Sequence, residues 1–97
     1  MNISDRQRKH LRTLAHPRKP VVTVGRNGLT ENVMAEIESA LAHHELVKVR
    51  VSIGDRTQRD ETVSRICELT KAELVQRIGH IATLYLPNPE NPAIDLP

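Results

Sequence analysis

Apolar residues recur along this chain at two different spacings, and the changes of spacing divide it into seven elements. Ser4 followed three residues later by Gln7 is a capping box, so a helix opens there and runs to about Ala15. Ile3, Leu11, Leu14 and Ala15 face inward from it, while Arg6, Arg8, Lys9 and Arg12 lie mostly on its other faces. Pro17 ends it, because the residue before a proline avoids helical geometry. Val21–Val24 reads as a short buried strand, and Thr30–His43 as a helix with Val33, Ile37 and Leu41 four residues apart. From Leu46 to Ile53 the period drops to two. Val47, Val49, Val51 and Ile53 face one way and Lys48, Arg50 and Ser52 the other, which predicts a strand with one covered face. A third helix is predicted over Thr57–Lys71, with Val63, Ile66, Cys67 and Thr70 inward. Glu73–Ile78 and Ile81–Leu86 form a hairpin about Gly79-His80. The order α-β-α-β-α-β-β predicts the α/β class: a two-layer sandwich with a four-stranded mixed sheet.

The pattern stops at Leu86. Four of the six prolines fall within the last eleven residues, so residues 1–86 are expected to form one domain and 87–97 an extended, poorly packed tail. Within the domain, Val, Ile, Leu and Ala must supply the core, since Trp and Phe are absent and Tyr85 is the single Tyr. The same shortage removes the ring platforms on which many RNA-binding sheets stack bases.

Net charge is only +2, but its distribution is uneven. Residues 1–26 hold seven Lys and Arg against Asp5 alone, whereas residues 27–97 hold the other seven against eleven acidic residues. A basic end on an otherwise acidic domain is the footprint of a polyanion-binding protein; its plain structural counterpart is a solvated basic helix. Cys67 is the only cysteine, which excludes an internal disulfide and suits a reducing cytosol. The first ten residues lack the apolar core of a signal peptide, and no apolar run reaches the length that spans a bilayer. A cytoplasmic protein without a membrane partner is expected.

The most telling segment is Gly25-Arg26-Asn27-Gly28, set between the first strand and the second helix. Strand, GxxG turn and helix N-terminus in that order aim backbone N–H groups and one Arg at a single point, which suits a phosphate. The amide of Gly28, those opening the second helix, and Arg26 are the expected donors. Arg18, Lys19, Arg12, Lys9, Arg8 and Arg6 extend the same positive surface. The segment is neither a Walker loop nor a GxGxxG fingerprint; it matches the GxxG that clamps backbone nucleotides in KH domains. The other reading is a steric βα turn. Lys48 and Arg50 admit two roles, phosphate contact or keeping an exposed strand face soluble.

Other chemistry finds little support. His43-His44-Glu45 lacks the HExxH spacing, and His10, His16 and His80 share no evident site. The paired histidines suit the C-terminus of the second helix. Cys67 sits on an apolar stripe, and no Ser or Cys has a partnering His. No catalytic residue, metal, cofactor or small-molecule substrate is implied.

Several stretches together resemble one family. They are LRTLAHPRKPVVTVGRNGLTENVMAEIESALAHHELVKVRV, then VQRIGH, then LYL. They look like the YhbY family of bacteria, whose fold in plants is called the CRM domain, over about residues 3–86. The resemblance implies an RNA-binding α/β domain similar to the C-terminal domain of bacterial initiation factor three. Members associate with precursors of the large ribosomal subunit, and plant relatives act in group II intron splicing. The family's GxxG loop falls on Gly25, Arg26, Asn27 and Gly28. One departure is visible: Leu86 follows Tyr85 where relatives commonly carry Arg, removing a basic contact. The expectation is a non-catalytic protein that binds large-subunit rRNA precursors in the pre-50S particle and assists assembly. The alternative is an adaptor that docks its basic helix on a ribosomal protein or assembly factor.

Overall fold

A computed structural model describes residues 3–97. Its elements are α1 (Asp5–Ala15), β1 (Pro20–Val24), α2 (Glu31–His44), β2 (Leu46–Val51), α3 (Arg56–Thr70), β3 (Glu73–Ile78) and β4 (Ile81–Tyr85). The four strands form one mixed sheet in the order β1-β2-β4-β3. β1 runs parallel to β2, and β4 is antiparallel to both of its neighbours.

Local chemistry fixes the helix ends. Ser4 and Gln7 form the predicted capping box, Thr30 accepts from the Val33 amide at the start of α2, and Asp55 and Gln58 form a second capping box on α3. Each of these bonds satisfies amides that the first helical turn leaves without a partner. Lys71, at φ 68°, closes α3 in the left-handed conformation.

Two clusters of buried side chains lie on opposite faces of the sheet. The larger joins Val22, Val24, Val47, Val49, Val51, Ala82 and Leu84 of the strands to Ile37 and Leu41 of α2 and Val63 and Ile66 of α3. The smaller sits on the other face, where Leu11 and Ala15 of α1 meet Leu46, Val75 and Tyr85. Helices α2 and α3 thus form the second layer, while α1 covers only one end of the reverse face. Branched aliphatic side chains fill the larger cluster, as the composition requires. Burial of each is worth on the order of 1.5–3 kcal/mol.

Two features decide what remains open on the α1 face. The β3–β4 register shifts between Leu74 and Gln76, a bulge that puts Val75 and Gln76 on the same side. Arg8 donates through Nη1 to the carbonyls of Leu74 and Val75 beside that shift, the latter at 3.2 Å. The second feature corrects the expectation of a poorly packed tail. Glu45 is buried at 1% exposure, and its carboxylate accepts the backbone amides of Asn88, Ala93 (2.7 Å) and Ile94 (2.9 Å). Ile94 and Leu96 pack against the α1 cluster. Prolines deny the tail a ladder, but three amides between them find one carboxylate.

Candidate nucleic-acid interface

The Gly25–Gly28 segment is a tight turn. The Gly28 amide donates to the Gly25 carbonyl at 2.9 Å, and the Thr30 amide to the Gly28 carbonyl at 3.0 Å. Arg26 and Asn27 are the exposed central residues. This corrects one expected donor: the Gly28 N–H closes the turn rather than facing outward. The amides of Glu31 and Asn32, in the first turn of α2, have no acceptor among the described residues, and they carry the positive end of the helix dipole. The Glu31 carboxylate stands in the same turn and offsets part of that potential.

The two glycines have different reasons to be there. Gly28 has φ +72°, a conformation that other residues enter at a cost. Gly25 has no positive φ, and a Cβ built on it meets nothing within 4 Å. The fold therefore does not require glycine at position 25, whereas close approach of another backbone does.

The loop does not stand alone at its edge of the sheet. Because β1 and β2 are parallel, Val24 pairs with Val51, and both chains leave the sheet together. The Ser52 amide donates to the Val24 carbonyl at 2.9 Å, tying the GRNG strand end to the Ser52–Asp55 connection. Exposed Arg56 opens α3 there, and Arg59 donates to the Gly54 carbonyl at 3.2 Å. The β3–β4 turn reaches the same edge. Val51 donates its amide to the His80 carbonyl at 2.6 Å, and the His80 Nδ1 lies 3.2 Å from the Val51 carbonyl. Ligands of open α/β sheets gather outside the C-terminal ends of parallel strands. Arg56, Arg59 and His80 were not among the site residues expected from the sequence, since only strand pairing, β1 with β2 and β2 with β4, brings their loops to the edge that carries Arg26.

The basic residues of the N-terminal stretch divide. Arg6, Lys9, Arg12 and Lys19 are exposed. Arg8 and Arg18 each commit a guanidinium nitrogen to the fold, Arg8 to the β3 carbonyls and Arg18 to the Leu46 carbonyl at 2.6 Å. All six lie before β1, while Arg26 follows it. A five-residue strand at about 3.3 Å per residue puts roughly 17 Å between those ends, too far for one phosphate. The sheet fills the gap: Lys48 pairs with Pro20 and Arg50 with Thr23, and both side chains stand on the α1 face. Lys48 reaches the His16 carbonyl at 3.4 Å, and Arg50 is exposed. The arrangement is a line of cations from Lys19 through Lys48 and Arg50 toward Arg26.

Two groups titrate away from their ordinary ranges. Burial, and then the Glu73 carboxylate, push the Cys67 thiol up. Burial, and then Glu45, push the Tyr85 phenol up. Neither is set for chemistry at neutral pH, and Tyr85, 2% exposed, offers no ring face to a base.

The CRS1 / YhbY (CRM) domain model matches residues 3–85. A Haemophilus influenzae protein named "RNA-binding protein" is 50% identical over 95 residues, covering 98% of this chain and 95% of its own. A Pseudomonas aeruginosa relative is 40% identical over 90 residues, covering 93% and 86%. The solution structure of a hypothetical protein from Staphylococcus aureus superposes with a TM-score of 0.84 at 34% identity, covering 99% of this chain and all of that one.

Proposed function

The chain belongs to the CRS1 / YhbY (CRM) domain family, and we propose that it is a non-catalytic RNA-binding protein of the cytoplasm. In this reading its target is rRNA in precursors of the large ribosomal subunit, and it assists their assembly. The relatives' names support RNA as the ligand class. The observation that carries the reading is Gly25, a glycine the fold does not need, set beside an exposed Arg26-Asn27 tip and the open amides of α2. An RNA backbone would pass over Gly25 with one phosphate on the Glu31 and Asn32 amides, and Arg26 would add a charge-assisted hydrogen bond. Its neighbouring phosphates would follow Arg50 and Lys48 toward Lys19 and Arg12. With Trp and Phe absent and Tyr85 buried, recognition rests mainly on phosphate and shape.

Asn27→Asp tests this. Asn27 is exposed and has no positive φ, so the change leaves the turn intact and places negative charge at the phosphate. RNA affinity is expected to fall about tenfold or more, because the new carboxylate repels the phosphate and offsets the charge of neighbouring Arg26. Unchanged affinity in a folded variant would reduce the loop to a turn. Crosslinking in cells, followed by sequencing of the bound fragments, tests the rRNA target: fragments without large-subunit rRNA would overturn it.

A further inference from the structure

On the α1 face of the sheet, a recess of about 250 Å³ opens between the helix and the β3–β4 hairpin. No residue of the GRNG segment lines it. Strand register builds its floor as two rows. Lys48, Thr83 and Gln76 lie side by side across β2, β4 and β3, and Ile81 and Ile78 form the next row, which Arg50 continues outside the recess. Gln76 reaches this face because of the bulge at Val75. Arg12 closes the recess from α1.

The chemistry of the two rows differs. Ile81 and Ile78 give an aliphatic surface, and Ile78 is 66% exposed, the most exposed large apolar side chain among the described residues. Thr83 is 4% exposed, yet its hydroxyl has no hydrogen-bond partner among the described residues, and neither has the Gln76 amide group. Arg12 and Lys48 put two cations at the rim, and among the described residues no carboxylate lines the recess. Its volume falls below the range of about 300–1,000 Å³ for drug-sized ligands. A flat group with polar edges, joined to an anion, fits such a place.

We infer that this recess holds one unstacked nucleotide of single-stranded RNA. The base lies against Ile78 and Ile81, its edge meets the Thr83 hydroxyl and the Gln76 amide, and its phosphate sits between Arg12 and Lys48. Bases taken out of a stack are held between apolar side chains and against Arg planes as well as on rings, and the recess offers the first two beside a single ring, the exposed His16 imidazole. The inference rests on the RNA-binding reading above and adds to it a preference for an unpaired base. The track from Lys19 to Arg26 serves duplex and single strand alike; the recess serves only the latter.

The test compares a mixed-sequence single-stranded oligoribonucleotide with an RNA duplex of equal length, using wild type, Ile78→Ser, Lys48→Gln and Asn27→Asp. Ile78 is mostly exposed, so its replacement leaves folding intact, which circular dichroism checks. Ile78→Ser is expected to weaken single-strand binding three- to tenfold, within the range of one lost base contact, and duplex binding less than twofold. Lys48→Gln weakens the single strand more than the duplex. Equal losses on both RNAs, or none on the single strand, overturn the nucleotide recess while Asn27→Asp still reports on the loop. A free mononucleotide that binds as tightly as the oligomer also overturns it, by making the recess a small-molecule site. If wild type binds neither RNA, the RNA-binding reading falls and the recess with it.

Discussion

Gly25 and Gly28 look equivalent in the sequence, but the backbone separates them. Gly28 meets a steric need at φ +72°, while Gly25 meets none. Gly25→Ala is therefore expected to leave stability within about 0.5 kcal/mol of wild type, or slightly above it, because alanine restricts the unfolded chain more than glycine does. RNA affinity is expected to fall severalfold, since the added methyl stands where the ligand's backbone passes. Thermal unfolding and a binding titration on the same variant check the two halves. Glu45 makes a different point. The sequence offered it only as part of a failed metal motif. The structure makes it a junction: its amide caps α2 through the Leu41 carbonyl, its carbonyl takes the Leu86 amide, and its carboxylate takes three more. Glu45→Gln keeps the length but turns donors toward donors, at a cost of about 1.5–3 kcal/mol.

Among the elements, the tail and α1 depend on each other. Ile94 and Leu96 cover the α1 cluster, and the Gln7 side chain donates to the Pro97 carbonyl at 3.1 Å. Removing residues 87–97 exposes that cluster and leaves the buried Glu45 carboxylate without its three donors, so Tm is expected to drop by several degrees. The two lesions share one cause and should not add: Glu45→Gln is expected to cost far less in the truncated chain than in the full one. A double-mutant cycle by denaturant unfolding measures the difference, and additivity would refute the latch. The starts of α1 and α2 were legible because each is a local device, Ser4 with Gln7 and Thr30 with the Val33 amide. The Asp55–Gln58 box opens α3 at Arg56, where the sequence reads only as a turn and the helix is expected from Thr57. The tail was not legible, because its partner Glu45 lies more than forty residues away and no local pattern marks it.

For the molecule as a whole, charge and burial set the response to solution conditions. Log affinity for single-stranded RNA is expected to fall linearly with log salt, at about −0.7 per phosphate contacted, and Lys19→Gln or Arg50→Gln should each reduce the slope by roughly one contact. A flat dependence would contradict the cation track. The raised thiol of Cys67 and phenol of Tyr85 give a second dependence. Both favour the neutral form in the folded state, so their contribution is present in full at neutral pH. It is lost as the pH climbs past about 8.5 for the thiol and 10 for the phenol, where the unfolded chain ionises first. Tm measured from pH 7 to 10.5 should decline in that window, and Cys67→Ala should remove the earlier part.

Periodicity, caps and turn residues by themselves determined the seven elements and the GRNG turn, because each is decided by side chains within a few residues of one another, and the order of those elements implied a mixed sheet. The resemblance of matching stretches pointed to the family. Only the tertiary structure decided which cations act together, since the parallel pairing of β1 with β2 places Lys48 and Arg50 between Lys19 and Arg26. It also withdrew the Gly28 amide from the phosphate and parts of Arg8 and Arg18 from the surface, because backbone acceptors brought near by folding claimed them. Spacing along a chain fixes which way a side chain points within its own element; what it meets there depends on register and packing across elements that the sequence keeps far apart.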